Sequence, residues 1–328
     1  MNVFLDKDAD LSLIQAKKVA ILGYGNQGRP QALNLRDSGV SDLVVSARRG
    51  SPSQERAEAD GFSVMTPGEA ASWCDVIVML IPDEVQGEVY REHLEPGLRP
   101  GSAIGFAHGL NIHFRLVEPR PDLDIFLVAP KGPGTALRTE YQQGRGLVAL
   151  FAAAQDATGS ADAIALSYAA AIGSGRAGIL PTSFAEECEA DLFNEQAVLW
   201  GAIPELIYAG FETLTDAGFS PEVAYFECLT EVKLIADLIY ERGIAGMREV
   251  ISNTAEFGAL QGGKRIVTSE TRTEMRRVLR EVRSGQFAEM LMKEAGSGYA
   301  RLGADRERAR QHPIEEVRAR LTKLTGGR

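Results

Sequence analysis

Between Lys18 and Arg36 a short apolar run, Lys18–Leu22, leads straight into Gly23-Tyr24-Gly25-Asn26-Gln27-Gly28 and then into the helix-compatible run Ala32–Arg36. A strand, a tight glycine turn and a helix in that order leave few folds open. The glycines permit the turn and let backbone approach an anion, while unpaired N–H groups and the helix dipole favour negative charge at the helix start. Five more apolar runs follow: Leu43–Val45, Phe62–Met65, Val76–Ile81, Ala103–Phe106 and Ile125–Val128. Their nearly continuous apolar character marks strands covered on both faces, as in parallel sheets. The expected N-terminal half is a doubly wound α/β, Rossmann-like domain whose glycine turn receives a dinucleotide pyrophosphate. The competing reading is a glycine turn kept for packing.

After about Thr158 the pattern changes to Ala, Leu and Glu at helical spacing, and no further β-rich run is expected. Residues 185–216, 221–242, 271–284 and 286–295 read as amphipathic helices, with Ser220-Pro221 as an N-cap and first-turn pair. Arg301–Arg328 reads as one or two solvated terminal helices. Leu147–Ala154 is apolar enough for either a strand or a tight helix. The reading gives two domains, 1–182 and 183–328, the second all-helical.

Composition limits the function classes. The 328 residues are 45% hydrophobic and 24% charged, values of an ordinary globular chain. Apolar runs fall well short of the ~20 residues that span a bilayer, so no membrane partner is expected. A net charge of −10 and a pI near 5.1 argue against nucleic acid, whose phosphates want a basic face. No basic segment followed by an apolar one opens the chain, which suggests a cytoplasmic protein. Cys74, Cys188 and Cys228 are widely spaced, as reduced thiols would be.

Two local patterns suggest chemistry. The second strand ends in Ser46-Ala47-Arg48-Arg49-Gly50-Ser51-Pro52-Ser53, where a reader of free ribose hydroxyls would place Asp or Glu. Arg48 and Arg49 with Ser51 and Ser53 suit a 2′-phosphate instead, which points to NADPH; a solvated basic turn would look similar. Asp191 and Glu195, and again Glu227 and Glu231, are four apart in helical segments, so each pair can share a face. Oxygen donors at that density suit Mg²⁺, although such pairs are also common on solvated faces.

Taken together the chain resembles short-form ketol-acid reductoisomerase. The matching strings, besides the glycine loop, are Ile81-Pro82-Asp83-Glu84-Val85-Gln86, Ala107-His108-Gly109-Leu110-Asn111-Ile112-His113 and Ala129-Pro130-Lys131-Gly132-Pro133-Gly134. In the helical half they are Asp191-Leu192-Phe193-Asn194-Glu195-Gln196, Tyr225–Glu231 and Ile251-Ser252-Asn253-Thr254-Ala255-Glu256. The resemblance implies a Mg²⁺-assisted alkyl migration in 2-acetolactate or 2-aceto-2-hydroxybutyrate, then NADPH reduction to a 2,3-dihydroxy acid, in branched-chain amino-acid biosynthesis. It implies His108 and Lys131 as catalytic residues, and Asp191, Glu195, Glu227 and Glu231 as ligands of two Mg²⁺ ions. It further implies Ser252 at the substrate carboxylate, and Tyr24, Gly25, Asn26, Gln27, Asp83, Glu84, Val85, Gln86 and Gly134 at the cofactor. A knotted helical domain and a homodimer or higher homo-oligomer are implied too, with Glu227, Glu231 and Ser252 reaching the site from the partner chain.

Arg29, Pro30, Pro181, Trp200 and Thr230 depart from the commonest family pattern, and Pro181 and Trp200 could reshape the substrate pocket. A paralogue reducing another 2-keto acid is therefore one alternative, and a non-catalytic NADPH-binding protein a second.

Overall fold

A computed structural model describes residues 2–325; Met1 and residues 326–328, where the expected terminal helices would end, lie outside the described residues. The chain separates into two compact units, Met1–Ala190 and Asp191–Arg328.

The first unit is built on an eight-stranded sheet in the order β3-β2-β1-β4-β5-β6-β7-β8. The strands are β1 Val19–Leu22, β2 Leu43–Ser46, β3 Ser63–Met65, β4 Val76–Met79, β5 Ala103–Phe106, β6 Asp124–Pro130, β7 Ala149–Gln155 and β8 Ile179–Pro181. The first six are parallel. In β1, Val19 and Ile21 join one buried apolar cluster while Ala20 and Leu22 join the other. Helices cover both faces, and the strands have the apolar continuity that double burial demands.

Two strands go beyond the expected six. Leu147–Ala154 resolves as β7, antiparallel to β6, and β8 runs parallel to β7, closing the sheet after the point where no further strand was expected. β8 has only three residues and ends on proline, which edge strands tolerate and periodicity does not reveal.

The second unit is helical. Its helices include Ala202–Asp216, Glu231–Val250, Asn253–Ile266, Ser269–Arg283, Gln286–Gly296, Ala300–Arg310 and Pro313–Thr325. Ser220 caps the helix Pro221–Tyr225, its hydroxyl accepting from the Val223 amide, with Pro221 in the first turn. The segment Glu231–Val250 is broken at Gly243, where φ is 71° and ψ 171°, so the helix expected to end at 242 does turn there. A small core gathers Phe211, Ala224, Ile314 and Val317. By contrast Glu231–Val250 and Asn253–Ile266 contain no buried residue, and they expose large apolar side chains such as Tyr240 (91%) and Phe257 (66%).

Candidate active site

The glycine loop leaves the carboxyl end of β1, Arg48 follows β2, Pro82 follows β4, His108 follows β5 and Lys131 follows β6. Open α/β sheets bind ligands along that edge. A cavity of about 470 Å³ opens there, lined by Tyr24, Gly25, Arg48, Ser51, Ser53 and Val85 among others. Close backbone contacts shape the loop. A Cβ on Gly28 would lie 2.1 Å from the Gly23 carbonyl oxygen, and one on Gly134 only 1.6 Å from that of Asn26. Ser46 Oγ, at the cavity, is buried without a hydrogen-bond partner, a polar atom that a bound ligand can satisfy.

Other residues near the glycine loop act through the protein. Gln27 donates to the Gly132 carbonyl at 3.1 Å and accepts from Gln31, which in turn accepts from the Tyr168 hydroxyl at 2.6 Å. This chain ties the loop to the Lys131–Gly132 turn. Gln86 is buried, and its amide donates to the Ile81 carbonyl and to Asp83, while Asn111 donates to the Asp83 carbonyl and to Gln86 Oε1. Burial raises the Asp83 carboxyl above its ordinary range. Asn111, which the sequence reading left without a role, thereby joins the turn after β4 to the His108 loop.

Glu187 is the centre of a polar cluster at this edge. Its side chain is 1% exposed. One oxygen accepts from the Gly109 amide at 2.8 Å and meets His108 Nδ1 at 3.1 Å, and the other accepts from Lys131 Nζ at 2.6 Å. Burial by itself would raise this acid, but bonds and charge from His108 and Lys131 outweigh it and hold it at about 2. Burial pushes His108 down, yet its bonds to Cys188 and Glu187 and the nearby negative charges carry it well above its ordinary value. Sequence reasoning missed Glu187, although the signal was present. On the helix Phe184–Asn194 the buried Phe184, Cys188 and Leu192 mark a 3–4 stripe in which Glu187 and Asp191 also fall, and an acid in an apolar stripe needs a partner.

Asp191 lies one turn beyond Glu187 on this helix. His108, Glu187 and Asp191 each offer a ligand atom within 4.8 Å of the others, and among the described residues they are the only set of three or more candidate ligands. Glu195, Glu227 and Glu231 fall outside that set. Glu195 opens a π-helical turn, Glu195–Leu199, closed by the Trp200 amide bonding the Glu195 carbonyl at 2.9 Å. A second π turn, Phe226–Thr230, contains Glu227 and hands over to Glu231, and both of these acids are exposed. The assumption of a straight helix behind the i, i+4 reading therefore fails for Glu227 and Glu231, which span a wide turn that adds a residue and rotates the helix beyond it, whereas Asp191 and Glu195 lie on the regular side of theirs. Ser252 caps Asn253–Ile266 by accepting from the Ala255 amide at 3.1 Å, and its hydroxyl proton is still available to a carboxylate.

Among the unusual positions, Arg29 forms a forked pair with Asp60 and Trp200 is 67% exposed. Nothing in the structure gives Pro181 or Thr230 a distinct role. His113 lies 3.4 Å from Glu189 and His312 3.1 Å from Glu212. No helix among the described residues is long and apolar enough to cross a membrane.

Comparison with known proteins extends these findings. The family model described as acetohydroxy acid isomeroreductase, NADPH-binding domain, matches residues 13–178, and that of the ketol-acid reductoisomerase C-terminal domain matches residues 184–326. A solved NADH-preferring ketol-acid reductoisomerase from an uncultured archean is 42% identical over 99% of both chains, with a TM-score of 0.96. A semialdehyde dehydrogenase NAD-binding protein from Cupriavidus necator is 18% identical over 82% of this chain and 99% of its own, at a TM-score of 0.60. A pyrroline-5-carboxylate reductase from Coxiella burnetii is 16% identical over 82% and 96%, at 0.56. The last two share the fold alone.

Proposed function

The chain belongs to the ketol-acid reductoisomerase family, and from that premise we propose that it converts 2-acetolactate or 2-aceto-2-hydroxybutyrate to the 2,3-dihydroxy acid with NADPH and Mg²⁺. The observation that carries this reading is Glu187 holding both Lys131 and the His108 loop at the carboxyl edge of the sheet, with Asp191 one turn away. In this reading residues 1–182 bind the cofactor in the cytoplasm, and residues 183–328 bind metal and substrate and dimerise.

When bound, NADPH supplies the hydride and magnesium supplies Lewis acidity to the substrate oxygens. Asp191 and Glu195 would hold the ions, joined by Glu227 and Glu231 from a partner protomer; oxygen-only donors suit that hard cation. Glu187 is committed to Lys131, His108 and Gly109, so its part is to keep the Lys131 ammonium aimed. During alkyl migration negative charge grows on the substrate's former carbonyl oxygen, and an ammonium held in place by Glu187 stabilises it with little reorganisation. Ser252 would donate to the substrate carboxylate. The exposed apolar side chains of Glu231–Ile266 support a homodimer, because a monomer would leave that surface in water.

Arg48, rather than Arg49, is the candidate for the 2′-phosphate, since Arg49 already pairs with Glu69 at 3.2 Å and Arg48 lines the cavity with Ser51 and Ser53. The NADH-preferring relative favours a second reading, in which NADH serves this chain too. The Arg48→Asp substitution is expected to move the ratio of kcat/KM values at least about tenfold toward NADH, through loss of a charge-assisted bond and gain of repulsion. An unchanged ratio would transfer the phosphate contact elsewhere or support NADH as the native reductant.

The reaction is tested by following NADPH loss with 2-acetolactate, with and without Mg²⁺. Turnover dependent on the metal is expected. Reduction of 3-hydroxy-3-methyl-2-oxobutyrate or another 2-keto acid, with no turnover of 2-acetolactate, would instead identify a reductase paralogue, and silence with every substrate a binding protein.

A further inference from the structure

The glycine loop is braced from behind by Asp60, a residue outside every motif of the sequence. Tyr24, the loop's second residue, is 1% exposed and stacks edge-on against Phe62 at 5.8 Å. Its hydroxyl donates to Asp60 Oδ2 at 2.8 Å. Arg29, in the first turn of the helix Gly28–Asp37, donates to the same carboxylate through Nε at 2.6 Å and Nη2 at 3.1 Å. Arg36, near the end of that helix, donates to the Asp60 carbonyl at 2.7 Å. The bonds from Arg29 hold the Asp60 carboxyl below its usual range against the opposing effect of burial, with Tyr24 adding to them.

Asp60 is also the C-cap of the helix Pro52–Ala59, whose N-cap is Ser51. The opposite end of that short helix therefore carries Ser51 and Ser53 into the cavity, beside Arg48. Arg56 on the same helix reaches back to the Tyr24 carbonyl at 3.4 Å. Two elements that meet different parts of a dinucleotide are thus joined through one carboxylate. The glycine loop faces the pyrophosphate, and the Pro52–Ala59 helix faces the 2′ end of the adenosine ribose.

We propose that Asp60 is a positioning residue for the cofactor: with Tyr24 and Arg29 it fixes the spacing between the pyrophosphate cradle and the 2′ subsite. The covalent length of the ligand sets the distance its two anionic groups span, so a protein that holds its subsites at that distance spends less ordering them on binding. This inference rests on NADPH occupying the cavity under the proposed function. It predicts that loosening the brace harms a ligand that bridges both subsites and spares one that touches only the 2′ end.

The test is calorimetric titration of the full-length Asp60→Asn enzyme with NADPH and with 2′-AMP. NADPH affinity should fall about tenfold while that for 2′-AMP stays within about twofold, and kcat at saturating NADPH should hold within about twofold. Arg29→Gln should behave alike, and the double variant should lose little more than either single one, as members of one unit do. Tyr24→Phe, which removes one hydroxyl and keeps the ring, should give a smaller loss of the same selectivity and serves if Asp60→Asn folds poorly. Equal weakening of both ligands, or unchanged NADPH affinity, would overturn the proposal. A failure of the NADPH reading shows itself separately, in the unmodified enzyme, as NADPH binding no tighter than NADH; the brace is then judged by the same comparison with NADH and adenosine.

Discussion

Glu187→Gln should lower kcat on 2-acetolactate by about 10²- to 10³-fold while changing NADPH affinity by less than about threefold. The amide fills the same volume and can still meet the Gly109 amide through its oxygen. What it loses is the negative charge that His108 and Lys131 share. Lys131, whose side chain is 33% exposed, would keep its charge but swing toward water, and His108 would lose the neighbour that favours its protonated form. A buried ion pair broken on one side costs about 3–5 kcal/mol when the remaining charge is stranded; here solvent at Lys131 should reduce that to about 2 kcal/mol. Thermal unfolding followed by circular dichroism would confirm that the variant is folded before its rate is read. Activity near the wild-type level would show that Lys131 needs no carboxylate to work, and the assignment of Glu187 would fall.

Asp191→Asn and Glu227→Gln should each remove Mg²⁺-dependent isomerisation, by about 10³-fold or more, because an amide cannot replace an anionic ligand of a hard cation. Produced together in one cell, the two inactive variants should regain about a quarter of wild-type activity. Random pairing makes half of the dimers mixed, and in a two-fold symmetric dimer with shared sites one of the two sites in each mixed dimer carries neither substitution. Purification by two different tags isolates the mixed species, in which half of the normal activity is expected. No recovery would mean that Glu227 serves the site of its own chain, or none, and the exposed position of this residue would then need another explanation.

The strands and the cofactor edge were legible because each depends on local signals. β1, β2, β4, β5 and β6 are largely apolar runs, with β3 a short edge strand beside β2, and a glycine loop between a strand and a helix has few other meanings. β8 carries no such signal, since a three-residue strand ending in proline gains its place from β7 and not from its own pattern. Glu187 was hidden for a related reason. Among Glu186, Glu187 and Glu189 only the middle acid falls in the apolar stripe of Phe184, Cys188 and Leu192, a weak local signal whose meaning becomes plain only when the His108 loop packs over it. Asp83 and Gln86 show the reverse limit: motif resemblance places them at the cofactor, while the fold shows their side chains engaged with each other and with Asn111. The four acids were expected to act as a set, yet only Asp191 falls in the cluster the structure brings together, and the orientation of Glu227 and Glu231 was not legible because spacing arguments presume regular helices.

That irregularity bears on anyone wishing to transplant this chemistry. An ideal α-helix advances about 100° per residue, so copying Glu227 and Glu231 onto a regular helix at the same numerical spacing would aim the downstream acid about a quarter-circle away from where the wide turn Phe226–Thr230 puts it. A design patterned on this segment must import the widened turn along with the side chains, and trimming one residue from Phe226–Thr230 in the name of regularity would leave a better helix and a re-aimed Glu231.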